Sequence, residues 1–268
     1  MTTIRMHPSE LAYAFSYAET ADIIGWGRAP FLPSTEAGDD PKSWYADGAA
    51  RLSAAGRLTE SADKGLNFTD EITAAVLALA DPVLVLLAER KAGDGVKRFT
   101  VHMAKDTVLG MTHSPDGMFE LTRYADLTAA TAACVGFLGV APTPARAGTR
   151  IDSTQETLTE VHHLATKGQT DQALEHLVAL GATAQEATSI LKAMAEPRAA
   201  GMLSLLFCSG NIARSARPFS IMTNADDETW ILFPPASLEG PMVLERSSVS
   251  ALSARVLVEV ATWFKISA

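Results

Sequence analysis

The chain has 268 residues, 47% of them hydrophobic, enough to fill the core of one large domain or two ordinary ones. Its 31 acidic side chains outnumber 22 basic ones, and the formal charge of −9 disfavours nonspecific nucleic acid or anionic membrane as partners, since both require a basic surface. The two cysteines, Cys134 and Cys208, lack CxxC spacing, which points to a reducing compartment and away from a zinc site or a disulfide scaffold.

The opening segment, "MTTIRMHPSELAYAFSYAETAD", carries Glu10, Glu19 and Asp22 and has no uninterrupted apolar core of the secretory type, so it is expected to belong to the folded protein. No stretch approaches the roughly 20 apolar residues that span a bilayer, and a soluble, cytoplasmic protein without membrane insertion is expected. "GWGRAP", residues 25 to 30, has two glycines of a dinucleotide loop. It lacks the third, a preceding strand, and a helix start free of proline. The expectation is a turn into "FLP", with Trp26 and Phe31 packing an edge. A helix then runs through "ADGAARLSAAG" and closes at Gly56, whose missing Cβ suits the left-handed position after a helix.

Residues 69 to 82, "TDEITAAVLALADP", place Ile72, Ala75, Val76 and Leu79 on one helical stripe that stops at Pro82. A strand "VLVLLAERK" follows, then the loop "AGDGV" and "RFTVHMA", with Phe99, Val101 and Met103 on one face. The meander continues through "TVLGMT", the turn "HSPDG" and "MFELTRY". A helix near 126 to 138 turns Leu127, Cys134 and Leu138 inward, with Asp126 as candidate cap.

After "APTPARAGTR", residues 141 to 150, which reads as a linker, the pattern recurs. A helix "DQALEHLVALG" closes at Gly181, and "TAQEATSILKAMAEP" puts Ala187, Ile190, Leu191 and Met194 on the same kind of stripe before Pro197. Strands "GMLSLLFCS", "PFSIMTN" (Phe219 and Ile221 on one face), "TWILF" and "MVLERS" follow, with "GNIARSARP", "NADDE" and "PPASLEGP" between them. A helix from 250 to 264 turns Leu252, Val256, Val260 and Trp263 inward, with Ser250 as candidate cap. The expected fold is α+β: a pseudo-twofold duplication of a helix-helix-β-meander-helix unit, with antiparallel sheets flanked by helices. The expected boundaries are an N-terminal half at 1–140, a linker at 141–152 and a C-terminal half at 153–268, joined in one compact body because a three-stranded meander alone buries too little.

Motifs for chemistry are sparse. His162 and His163 are adjacent on a helix and diverge by about 100°, so they cannot easily both face one metal; His176 on the next helix could approach either, but ordinary helical surface residues are the expectation. Ser153 with Glu156, and Thr183 with Glu186, have capping-box spacing. Cys208 sits on an expected strand without a visible base, and "NADDET" lacks the loop length, glycine and terminal glutamate of a calcium hand. No catalytic residue, metal ligand or cofactor is indicated.

The segments "GRAPFLP", "LSAAGRL", "FTDEITAAVLALADP", "EHLVALGATAQEATSILKAMAEP", "GMLSLL", "RPFSIMTNADDETWIL" and "GPMVLERSSVSALSARV" occur in an order and spacing that resembles the EspG family, the cytosolic chaperones associated with type VII (ESX) secretion. The resemblance implies a mixed α/β protein with quasi-twofold symmetry that binds exported helical PE/PPE-like clients and masks their apolar tips, with no enzymatic activity and no cofactor. It implies a grip formed by a hairpin of the first half and by the C-terminal helical portion. The matching segments are "GMTHSPDGMF" and the helices of 153 to 195 with 250 to 264. The hairpin is short, and "PPASLEGP" has no clear family counterpart. The candidate partner-binding residues are therefore Met111, His113, Ser114, Pro115, Asp116, Met118 and Phe119. Met111 and Met118 bracket the turn, and methionine is adaptable at interaction surfaces, although the same residues could simply pack the hairpin edges.

Two other classes fit the sequence. An immunity-type inhibitor or regulatory binding module would use the acidic charge against a basic partner. An enzyme would have to assemble a site from scattered residues such as His102, His113 and Asp116.

Overall fold

Asp70 to Ala80 form a helix because Ile72, Ala75, Val76 and Leu79 recur on one face, and all four are buried. Ala184–Ala195 repeats the logic with Ala187, Ile190, Leu191 and Met194, also buried. Each helix ends immediately before an acid–proline pair, Asp81-Pro82 and Glu196-Pro197, and each delivers the chain into a long strand. The computed structural model describes residues 1–18, 22–27, 29–33, 40–61, 65–93, 95–142, 150–209, 212–235 and 240–267. Glu19, Arg28 of "GWGRAP", Asp94 of "AGDGV", 143–149 of the linker, 210–211 of the second strand connection and 236–239 of "PPASLEGP" lie outside the described residues.

In chain order the elements are β1 (Thr2–Met6), α1 (Pro8–Phe15), a 3-10 turn (Ala29–Phe31), α2 (Pro41–Ala54), β2 (Leu58–Ser61), β3 (Gly65–Phe68), α3 (Asp70–Ala80), β4 (Leu84–Ala92), β5 (Gly95–Ala104), β6 (Thr107–His113), β7 (Phe119–Tyr124) and α4 (Leu127–Phe137). They continue as β8 (Arg150–Ser153), α5 (Gln155–Thr166), α6 (Thr170–Ala179), α7 (Ala184–Ala195), β9 (Ala199–Ser209), β10 (Ile212–Thr223), β11 (Thr229–Phe233), β12 (Met242–Ser247) and α8 (Val249–Ser267). Ten strands form a sheet in the order β1-β7-β6-β5-β4-β9-β10-β11-β12-β8, and β2 with β3 makes a separate hairpin. The fold is α+β, an antiparallel sheet flanked by helices. The order helix, four strands, helix occurs twice, as α3 through α4 and as α7 through α8.

The chain divides into two compact units, one of 1–87, 99–130 and 206–216, the other of 88–98, 131–205 and 217–268. In the first unit, Ile4 and Met6 of β1, Leu109 and Met111 of β6, and Phe119 and Leu121 of β7 share a core with Leu11 and Ala14 of α1, Leu52 of α2 and the α3 stripe. Period-2 alternation explains the choice: the opposite-facing Thr3, Thr112, Glu120 and Thr122 are polar. In the second unit, Trp230 and Leu244 meet Leu158 and Val161 of α5, Ala173 and Leu177 of α6 and the α7 stripe. On α8, Leu252, Val256 and Val260 are buried.

Gly56 (φ 67°) and Gly181 (φ 99°) close α2 and α6 in the left-handed conformation that their positions in the sequence imply. Gly48 is required for close approach instead. A Cβ there would lie 2.1 Å from the Ser9 carbonyl oxygen, so α1 can cross α2 at that point only over a glycine.

Two caps differ from expectation. Ser153 ends β8, and Thr154 caps α5 by accepting the Thr157 N–H at 3.1 Å. Ser248, not Ser250, accepts the Ala251 N–H at 3.3 Å at the start of α8. In both cases a strand end fixes where the helix can begin, and it overrides the spacing of hydroxyls in the sequence. Thr183 and Glu186 do form a capping box, and Asp126 accepts the Ala129 N–H at 2.8 Å.

Candidate partner-binding site

The β6–β7 hairpin turns through Ser114, Pro115, Asp116 and Gly117. Proline pre-sets its own φ, aspartate bonds the backbone ahead of it, and Gly117 takes φ 84°. The Ser114 N–H donates to the Met118 carbonyl at 2.8 Å and the Gly117 N–H to the Ser114 carbonyl at 3.0 Å. Asp116 accepts hydrogen bonds from the Ser114 hydroxyl and the Met118 N–H and is ion-paired with Arg5 of β1. These contacts, the Ser114 hydrogen bond first and Arg5 next, draw its carboxyl down to about 2.

Beneath the turn, Phe119 is fully buried, with Trp26 at 5.4 Å, Phe31 at 5.0 Å and the exposed His113 at 4.8 Å between ring centroids. Trp26 Nε1 donates to Thr100 Oγ1 at 2.8 Å, and Trp44 Nε1 donates to the Phe31 carbonyl at 3.0 Å. "GWGRAPF" thus holds Phe119 through its aromatic side chains, and its tryptophan reaches the β5 strand.

Of the seven candidate residues, Met111 and Phe119 lie in the core, because alternation along β6 and β7 turns them toward α1 and α3. His113, Pro115 and Asp116 are exposed, while Ser114 and Met118 are half-buried. The hairpin surface open to a partner is therefore small and polar, with proline at its crest.

The second unit carries a concavity that no short motif announces. An apolar groove of about 480 Å³ runs between α5, α6, α7 and the β10–β11 turn, with Ala165, Leu174, Leu191, Ala195 and Ala225 among its walls. Lys192 and Asp226 form its rim and pair at 2.8 Å. Leu174 and Leu191 read in sequence as ordinary helical-stripe residues; the groove exists only because three helices and a turn come together around them.

The turn that closes the groove is fixed to α7 by a buried polar network. Asn224 is fully buried, and its Oδ1 accepts from the Asp226 and Glu228 N–H groups at 3.0 and 2.9 Å. Ser189 of α7 accepts from Trp230 Nε1 at 2.8 Å and from Asn224 Nδ2 at 3.2 Å, and its hydroxyl donates to Glu228, which also binds Arg246. Asp227 sits at φ 59° and pairs with Arg198 at 2.9 Å. "NADDET" is thus a hairpin turn in which Asp226 and Asp227 each have a cationic partner.

His102, a candidate in the enzymatic reading, is fully buried on β5, where Nε2 meets Thr100 Oγ1 at 3.0 Å and burial lowers its pKa to about 3. His113 and Asp116 are on the exposed hairpin, so the three do not share a solvent-facing pocket. His162 and His163 are exposed on α5, and His176 approaches Glu160 at 3.9 Å. Cys134 is buried. Cys208 is half-buried, and its thiol pKa is pushed up to about 11 by burial. Among the described residues, no group of three His, Cys, Asp or Glu could hold a metal ion, and no helix is long and apolar enough to cross a membrane.

No protein-family model and no curated protein matches the sequence. Among solved structures, the fold matches the Mycobacterium tuberculosis type VII secretion system chaperone EspG5, determined in complex with a PE25–PPE41 dimer. The match has a TM-score of 0.66 and 12% sequence identity and covers 94% of each chain, so this protein and that chaperone share a fold over nearly their whole lengths.

Proposed function

We propose that the chain is an EspG-like, non-enzymatic chaperone or adaptor that binds an exported helical client of the PE/PPE type in the cytosol and keeps the client's apolar tip from water. The observation that carries this reading is the 94% coverage of a chaperone fold determined with such a dimer. The groove on α5 to α7 supports it: its volume and apolar walls suit a few large apolar side chains projected from a helical partner. The exposed His113, Pro115 and Asp116 supply a second, polar contact of the kind that sets specificity.

Co-expression tests the reading. A tagged chain produced with each PE/PPE-like or other exported helical protein encoded beside it should yield a stoichiometric complex by size-exclusion chromatography with light scattering. Thr188→Glu, at an exposed position lining the groove, should lower that affinity at least tenfold while the circular dichroism is retained. Failure to form a complex with any of these proteins would overturn the proposal.

A further inference from the structure

The crest of the β6–β7 hairpin is a short exposed turn, which ordinarily would fray, yet it has two anchors outside its own ladder. From below, Phe119 is locked among Trp26, Phe31 and the core. From the side, Arg5 on β1 reaches Asp116 at the crest and Glu120 at 3.6 Å on β7. Arg5 faces Glu120 in the strand register, so its guanidinium extends along the sheet face from its own pairing position to the turn. Asp116 is at the same time the acceptor that organises the turn from inside, for the Ser114 hydroxyl and the Met118 N–H.

We infer that Arg5 is a positioning residue that latches the β6–β7 turn in one preset conformation, so that His113, Pro115 and Asp116 are presented as a rigid knob rather than as an adaptive loop. A preset knob avoids the ordering cost that a flexible loop incurs on binding. The value of this to a partner rests on the function proposed above; the latch itself is a property of the free chain.

Backbone amide exchange of the full-length, ¹⁵N-labelled protein tests the latch without any client. The amides of Gly117 and Met118 should be protected in the wild type. Arg5→Gln should speed their exchange roughly two- to five-fold, the scale on which an exposed ion pair acts, and leave the amides of Leu109 and Leu121 unchanged. Asp116→Asn keeps an oxygen for the turn and loses the charge, so it should match Arg5→Gln, while Asp116→Ala should exceed both. Unprotected crest amides in the wild type, an Arg5→Gln variant that exchanges like the wild type, or loosening that spreads to Leu109 and Leu121 would each overturn the inference. A latched hairpin with no client would leave it standing and count only against the proposed function.

Discussion

Asp81 and Glu196 end their helices in the same backbone conformation, φ −135° with ψ 59° in one and φ −135° with ψ 67° in the other, and each N–H reaches back four residues, to the carbonyls of Leu77 and Lys192. The proline that follows each excludes the α region for the residue before it, so the acid is held in a non-helical conformation and the chain leaves as a strand. Pro82 is buried and Pro197 is exposed. Pro197→Ala should therefore lower stability by about 0.5–1 kcal/mol, through the unfolded chain alone. Pro82→Ala should cost about 1 kcal/mol more, for the ring methylenes it removes from the core. Urea unfolding measures both, and a larger loss at Pro197 would contradict this account of the corners.

His102 makes a prediction about acid. Its pKa is ordinarily near 6.5 and falls to about 3 in the fold, so the folded state requires the neutral ring while the unfolded chain takes up a proton as pH drops below 6.5. Its contribution is fully present above pH 6.5 and is lost progressively as pH falls toward 3, by about 2 kcal/mol at pH 5. Burial also lowers the His7 pKa, which adds in the same direction. Among the described residues, His102 Nδ1 has no hydrogen-bond partner, so His102→Leu removes an unsatisfied buried atom as well as the titration. Unfolding free energies at pH 7 and pH 5 should differ less in His102→Leu than in the wild type, by about 2 kcal/mol.

The helical stripes are legible in the sequence because 3.6-residue periodicity is a local signal, and Ile72 to Leu79 and Ala187 to Met194 are buried as their spacing requires. The edge strands β1 and β8 are not, since five or four residues of "TTIRM" and "RIDS" become strands only through partners far away in the chain. At the hairpin, proximity to the turn suggests Met111 and Phe119 as surface residues. Alternation with Gly110, Thr112, Glu120 and Thr122 is the better guide, and it places both residues on the covered face. The groove has no local signal at all, because its walls come from three helices and a turn.

The division of the hairpin into core and crest separates stability from binding. Phe119→Ala should cost about 3–5 kcal/mol, as for other buried aromatics, and lower the thermal midpoint clearly. His113→Ala and Pro115→Ala should leave the midpoint within a few degrees. If the proposed function holds, these two should weaken the client complex, as measured by isothermal titration with the partner found by co-expression. Destabilisation by His113→Ala comparable to that by Phe119→Ala would show that the crest belongs to the core.

Ser189 joins α7 to the β10–β11 turn through three polar partners, and its removal is the sharpest test of the network that closes the groove. Ser189→Ala takes the acceptor from Trp230 Nε1, which is fully buried and cannot recover the loss from water, removes the donor to Glu228, and leaves Asn224 Nδ2 only its longer contacts, at 3.4 Å each, with the Ser189 carbonyl and Glu228. The cost should be about 1–3 kcal/mol, the usual penalty for an unsatisfied buried group. Ser189→Thr keeps the hydroxyl and should recover part of it. Because the β10–β11 turn forms one wall of the groove, Ser189→Ala should also speed amide exchange at Asp226 and Glu228, whose N–H groups bond Asn224. Unchanged exchange there, together with unchanged stability, would mean that Lys192 with Asp226 and Arg198 with Asp227 hold the turn by themselves.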